Sequence, residues 1–281
     1  KSQIGTFAPQ MRRAAKYLLD HPTDFGLDPI RDTARKAGVS TYTLVKMAKA
    51  LDFEGFEALR APFRHALVAG GARADAPPWI DPRYHNTDTT AFVQAAENAL
   101  SIVRSSLERQ DAQGLERVVD MLLEAETVYL TAVRASYAMA YYMHYVGRMA
   151  LPSMELIPRH MNSALDDLND AKPGDVLIAI TVTPYSRETI EACRFAKKKG
   201  VRLVFIADSE VVASDLVPEA TLVTSVLSTH NFGCFTGILA VIETLIALLM
   251  QRGGEAAEAR IKSYGALRRE NNAYWDGQKK H

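Results

Sequence analysis

Residues 181–189 read Thr-Val-Thr-Pro-Tyr-Ser-Arg-Glu-Thr, directly after the apolar run DVLIAI and at the opening of a helical pattern. Hydroxyls at such a turn sit beside the free N–H groups and positive dipole end of the helix, a combination suited to a phosphate or another small anion. Thr181, Thr183 and Ser186 are therefore candidate ligand-binding residues; ordinary helix capping is the competing role for all three. A second strand-to-helix turn, Val133-Arg134-Ala135-Ser136, supplies Ser136. His230 falls in a loop between the last strand and the next helix, at a sheet edge where a ligand can pass, although a lone loop histidine is more often only solvated.

A different chemistry is written into residues 28–56, DPIRDTARKAGVSTYTLVKMAKALDFEGF. They read as two short helices joined by a tight turn at Gly38, with Asp28 as N-cap and Pro29 at the first helical position. Ile30, Ala34 and Ala37 form the buried stripe of the first helix, and Ser40 caps the second. At about 100° per residue, Leu44, Met47, Ala48 and Leu51 share one side of that second helix, leaving Tyr42, Thr43, Lys46 and Lys49 on the other. The N-terminal half of such a helix enters the major groove of DNA. Tyr42, Thr43 and Lys46 are expected at base edges, and Ser40, Thr41 and Lys49 at phosphates. The alternative is a solvated face on a surface helix.

Behind these residues must stand elements that position them. A helix over residues 7–20 completes the core under the helix pair, and residues 53–69 add one or two helical turns. Gly70, Gly71, Pro77, Pro78 and Pro82 then crowd into a stretch without apolar periodicity, the signature of a linker. Beyond it, Thr89 and Asp111 cap helices running to about 108 and 125. Short β-rich runs at 127–133, 154–157, 175–181, 202–207 and 220–226 alternate with helices at 136–149, 186–199 and 236–251. Near-continuous apolar strands between helices indicate a parallel sheet covered on both faces. In a doubly wound sheet of this kind, ligands bind outside the carboxyl ends of the strands. A last amphipathic helix spans about 255–274. The expected division is a helix-turn-helix domain at 1–70, a linker at 71–88, an α/β ligand-binding domain at 89–252 and a C-terminal helix at 253–281.

The chain has 281 residues, 48% of them hydrophobic, enough for one small and one larger core. It is formally neutral, but residues 1–70 hold eleven Lys/Arg against seven Asp/Glu, the asymmetry of a basic reading head on a more acidic body. No run of about 18 apolar residues is present, so a soluble protein without a membrane partner is expected. Cys193 and Cys234 show no metal-ligand spacing and read as reduced packing residues in a cytoplasm. Neither a metal nor a cofactor is expected. The first residue is Lys, and a leader upstream is neither seen nor excluded.

The loop ITVTPYSRET, with AVRAS upstream and VSTYTLVKMAKALDFEGF near the N-terminus, resembles the RpiR family of bacterial transcriptional regulators. In that family an N-terminal helix-turn-helix domain is joined to a sugar isomerase (SIS) domain that binds phosphosugars. The resemblance covers nearly the whole chain and implies an α/β protein: an N-terminal all-α helix-turn-helix domain followed by a doubly wound parallel-sheet SIS domain. It implies that Thr181, Thr183 and Ser186 form the phosphate loop and that Ser136 is the hydroxyl of the first loop. Glu188 matches a frequent acidic position, facing a sugar hydroxyl or simply favouring the helix dipole. The first loop of the family usually reads Gly-x-Gly-x-Ser, whereas Ala132 and Arg134 stand where the glycines belong, and Pro184 replaces the Gly common after the second hydroxyl. Arg134 can clamp an anionic group with its forked donors, or fill the space a sugar phosphate would occupy.

Three functions are compatible with these patterns. A regulator would bind a duplex DNA operator as a homodimer or dimer of dimers, because one short helix reads few base pairs and paired heads match palindromic half-sites. A phosphosugar or related anionic sugar metabolite would be its effector. A SIS-fold sugar-phosphate isomerase would need a base, for which only Glu188 and His230 are candidates. A sensor acting through protein partners would leave the Tyr42–Lys49 face free of DNA.

Overall fold

Met11, Ala14, Ala15 and Leu18 recur at helical spacing and are buried along one side of α1 (Pro9–Asp20). A helix that the apolar pattern does not announce follows at once: α2 (Pro22–Leu27), with Pro22 in its first turn, where the missing N–H is harmless. Its Phe25 is fully buried and meets Phe56 and Phe63 edge-on, with ring centroids 5.4 and 5.0 Å away. The structure, a computed structural model, describes residues 7–69, 90–160, 163–229 and 232–275. The linker expected at 71–88, the Thr89 cap and His230 lie outside the described residues.

The helix pair forms as α3 (Ile30–Ala37) and α4 (Thr41–Ala50). Gly38 ends α3 in the left-handed conformation, φ 64°, which a side chain would disfavour. Asp28 does not cap α3, contrary to expectation; Pro29 occupies that position without a side-chain bond. The reason is that Asp28 still closes α2, its N–H donating to the Asp24 carbonyl, while its carboxylate turns to Lys36 at 2.8 Å. Asp28 and then Asp24 hold the Lys36 ammonium above its ordinary pKa. The last helix of this unit, α5 (Phe56–Ala69), is longer than the one or two turns expected. Leu44, Met47, Ala48, Phe56 and Leu59 join Phe25 and the α1 stripe in one small core.

The remaining elements are α6 (Thr90–Glu108), α7 (Ala112–Glu124), β1 (Val128–Thr131), α8 (Ala135–Gly147), β2 (Met154–Ile157), the short α9 (Ala164–Asp167), β3 (Val176–Thr181), α10 (Arg187–Lys198), β4 (Arg202–Ala207), β5 (Ala220–Val223), α11 (Thr236–Arg252) and α12 (Gly254–Glu270). Asp111 caps α7 as expected, accepting from the N–H groups of Gln113 and Gly114. The short α9 is an addition to the expected elements; Ser163 and Asp166 form its capping box. β5 is shorter than expected because the chain leaves the sheet after Val223, and Ser225 N–H turns to Ser106 Oγ at 2.9 Å.

All strand pairs are parallel, in the order β2-β1-β3-β4-β5. Successive side chains of a strand point to opposite faces. Val128 and Leu130, Val176, Ile178 and Ile180, and Val204 and Ile206 accordingly share one core with α7, α8 and α11. On the other face α10 packs against β3 and β4, burying Ala192, Cys193 and Ala196. The sheet is therefore doubly wound. The order also fixes where it opens: from β1 the chain winds outward to β2, then returns past β1 to β3 and winds the other way. Helices α8 and α10 depart to opposite faces, leaving a crevice at the carboxyl ends of β1 and β3. Among the described residues, no single helix is long and apolar enough to cross a membrane.

Candidate functional site

A cavity of about 980 Å³ lies at that crevice, lined from one side by residues 133–136 and from the other by residues 180–189 and Glu191, with Phe232, Gly233 and Phe235 closing part of the wall. Six of the seven expected ligand residues, Arg134, Ser136, Thr181, Thr183, Ser186 and Glu188, line this one space. Two strand-to-helix turns separated by about 50 residues meet because β1 and β3 are hydrogen-bonded neighbours. Thr181 and Ser136 are buried, whereas Thr183 is exposed at the rim.

The geometry at the start of α10 departs from simple capping. Ser186 occupies the N-cap position but makes no side-chain cap bond. Its hydroxyl instead donates to Glu188 Oε2 at 2.5 Å and accepts from Arg134 Nη1 at 3.2 Å. Arg134 reaches both carboxylate oxygens of Glu188, at 3.4 and 3.3 Å. The Glu188 carboxylate also takes its own backbone N–H, so a carboxylate is seated at the positive end of the helix. Ser186 first, then that N–H, then Arg134 lower its pKa to about 2.

A depressed pKa means this network contributes stability above the ordinary carboxylate value and loses it as pH falls toward 2. In ¹³C NMR titrations, Glu188 is expected to stay ionised through pH 4. Its midpoint should rise further in Ser186→Ala than in Arg134→Gln, since the hydroxyl is the larger cause. A midpoint at the usual carboxylate value in the unmodified protein would contradict the network.

Arg134 has φ 56° and ψ −133°, a backbone region that glycine adopts freely and other residues rarely. Strain of about 1–3 kcal/mol is typical of such a residue. The conformation is one that a glycine would adopt without strain, and Arg134 brings a guanidinium to the pocket lining.

Two residues of this site stand outside the set that the sequence pattern picks out. Thr189, in the first turn of α10, lines the cavity at 1% exposure, and its Oγ1 has no hydrogen-bond partner among the described residues. Asp208, the residue after β4, accepts from Thr183 N–H at 3.2 Å and thereby fixes the loop. Its position at the carboxyl end of the strand next to β3 was the available signal.

In the helical unit, Leu44, Met47 and Ala48 are buried, as the pattern required. Tyr42 is 73% exposed, and Thr41, Lys46 and Lys49 are exposed beside it. Ser40 Oγ accepts Thr43 N–H at 3.1 Å and lies 2.9 Å from Thr43 Oγ1. Those two hydroxyls hold the start of α4, and the other four side chains present the open polar face.

Comparison with known proteins agrees with both halves. The helix-turn-helix domain of the rpiR family matches residues 1–69, and the SIS domain matches residues 121–251. The chain belongs to the RpiR family. Among relatives of this RpiR-family chain, the bifunctional protein glk of Paraburkholderia xenovorans is 25% identical over 243 residues, covering 86% of the chain but only 36% of glk. The chain thus spans about a third of the length of that relative. The uncharacterised HTH-type transcriptional regulator YfhH of Escherichia coli is 25% identical over 269 residues, 91% of this chain and 92% of YfhH. The structure of Vibrio vulnificus NanR complexed with ManNAc-6P shares the fold over 95% of each chain, with a TM-score of 0.58 at 18% identity.

Proposed function

We propose that this RpiR-family chain is a transcriptional regulator that binds duplex operator DNA through α4 and senses a phosphosugar or related anionic sugar metabolite in the pocket of its α/β unit. The observation that carries the reading is the pairing, in one chain, of a solvent-open polar helix face with a hydroxyl-lined cavity at the sheet's switch point. The phosphosugar complex of NanR, whose fold is shared, supports the ligand class. Tyr42, Thr43 and Lys46 read bases while Ser40, Thr41 and Lys49 hold phosphates. Two copies of the chain present two heads to a palindromic site, and the protein works in the cytoplasm, where that DNA lies. The effector acts by binding more tightly to one arrangement of the paired heads than to the other.

The pocket does not turn its ligand over. Isomerisation requires a base able to take a proton beside a carbonyl. Glu188 in the free site has its pKa lowered to about 2, by Ser186 first and then by its own backbone N–H, two partners that do not depend on Arg134. That makes it a poor proton acceptor at neutral pH; His230, the other candidate base, lies outside the described residues. A thermal-shift screen against phosphorylated sugars and sugar acids, with product analysis of every stabilising compound, tests this reading. The expected result is stabilisation and altered operator affinity without interconversion; steady turnover would make the protein an isomerase.

A further inference from the structure

We infer that Arg134 is the residue that selects the effector, and that Glu188 is a built-in counter-anion which surrenders the guanidinium to an oxyanion of the incoming ligand. This rests on the reading of the cavity as an effector pocket and adds what the pocket demands of its occupant.

Three observations lead to it. First, a negatively charged group already lies where an anion would be drawn: the Glu188 carboxylate accepts from Ser186 Oγ, its own backbone N–H and Arg134 at the N-terminus of α10. Its partners are the donor types a phosphate or carboxylate uses. Second, the guanidinium among those donors is held loosely. Arg134 and Glu188 side chains are 69% and 60% exposed, and the ion pair spans 3.3 Å. Exposed pairs of this kind contribute little stability, so a ligand oxyanion can replace Glu188 at small cost. Third, the cavity holds a polar group with no partner of its own. Thr189 Oγ1 is buried, its residue lines the same cavity as Thr181 and Ser136, and no described residue satisfies it.

The neutral part of the cradle is also poorer in donors than its hydroxyl count suggests. Thr183 N–H is taken by Asp208, and Pro184 has no N–H. A guanidinium supplied from the β1 turn replaces that missing capacity with charge, and does so from a backbone conformation that glycine would occupy without strain. The ligand class that follows is a polyhydroxylated small molecule carrying a phosphate or a carboxylate. Neutral sugars lack the group that can displace Glu188 from Arg134.

The test uses the full chain and isothermal titration with four probes: glucose, glucose 6-phosphate, gluconate and 6-phosphogluconate. The variants are Arg134→Gln, which keeps a Cβ at the strained backbone, and Glu188→Gln, which keeps the shape of the counter-anion without its charge. Circular dichroism checks that each variant is folded. For whichever oxyanion probe binds, Arg134→Gln is expected to weaken affinity about tenfold or more, the usual effect of losing a charge-assisted bond. Glu188→Gln is expected to tighten it, because the competitor is gone. Binding of glucose 6-phosphate but not gluconate assigns the oxyanion as phosphate, and the reverse assigns it as carboxylate.

Unchanged affinity in Arg134→Gln, weaker affinity in Glu188→Gln, or glucose binding as tightly as its charged counterparts would overturn the exchange while leaving an effector pocket in place. Failure of the wild-type protein to bind any of the four would overturn the pocket reading together with it.

Discussion

Replacing Tyr42 and Lys46 together by alanine is expected to abolish operator binding while leaving the rest of the protein intact. Both side chains are exposed on α4, away from Leu44, Met47 and Ala48, which anchor the helix. The double variant should therefore keep the melting temperature of the parent and the same stabilisation by any effector. A good bidentate base-edge pair is worth about 1–3 kcal/mol of discrimination, so removing two contacts of that order predicts a weakening of roughly 30-fold to about 20,000-fold. Fluorescence anisotropy on a duplex selected by the wild-type protein, at one fixed salt concentration, gives the comparison. Lys49→Ala serves as the contrasting variant. Without its ammonium on a DNA phosphate, affinity should fall alike for all sequences, and the slope of log affinity against log salt should drop by about one. If the double variant binds the selected duplex as well as the parent, α4 is not the reading helix, and the protein signals by some other surface.

What the sequence made legible was the periodic part of the fold. The apolar stripes of α1 and α4 and the buried runs of β3 and β4 stand at the expected positions, with β2 and β4 matching residue for residue. Periodicity works there because burial on one helix face, or on both faces of a strand, leaves a repeating mark. The candidate site was legible for a related reason: strand-to-helix turns rich in hydroxyls are local, and the two that line the cavity each lie within a few residues. Their partnership is not local. Nothing near Arg134 in the chain announces Ser186 or Glu188, more than 50 residues away, and only the adjacency of β1 and β3 brings them together. Asp208 is hidden in the sequence for the same reason, since its role is to bind a backbone N–H on another strand's loop. Asp28 misleads because a carboxylate before a proline is a good cap in isolation. In the fold that residue is still engaged by the preceding helix and by Lys36.

That preceding helix, α2, is the element least visible in the sequence and is predicted to be among the most consequential. With only six residues it is too short to show a helical period, and it begins directly after His21. Yet Phe25 has no exposed surface, and its ring joins α2 to α5 through Phe56 and Phe63. Truncating a buried phenylalanine costs about 3–5 kcal/mol, because the loss of burial is compounded by the cavity left behind. A helical unit of this size has a total stability of only about 3–9 kcal/mol. Phe25→Ala is therefore expected to unfold much or all of the helical unit at physiological temperature and to eliminate the proposed operator binding, although the residue lies nowhere on the α4 face. The α/β unit has its own core of α7, α8, α11 and the sheet, to which Phe25 does not belong. Calorimetry should accordingly show the loss or early melting of one transition with the other retained, and effector titration should give an unchanged affinity. Should Phe25→Ala bind DNA with parental affinity and melt as the parent does, the packing between α2 and α5 is not what holds α4 in place, and support from α1 and α3 alone would suffice.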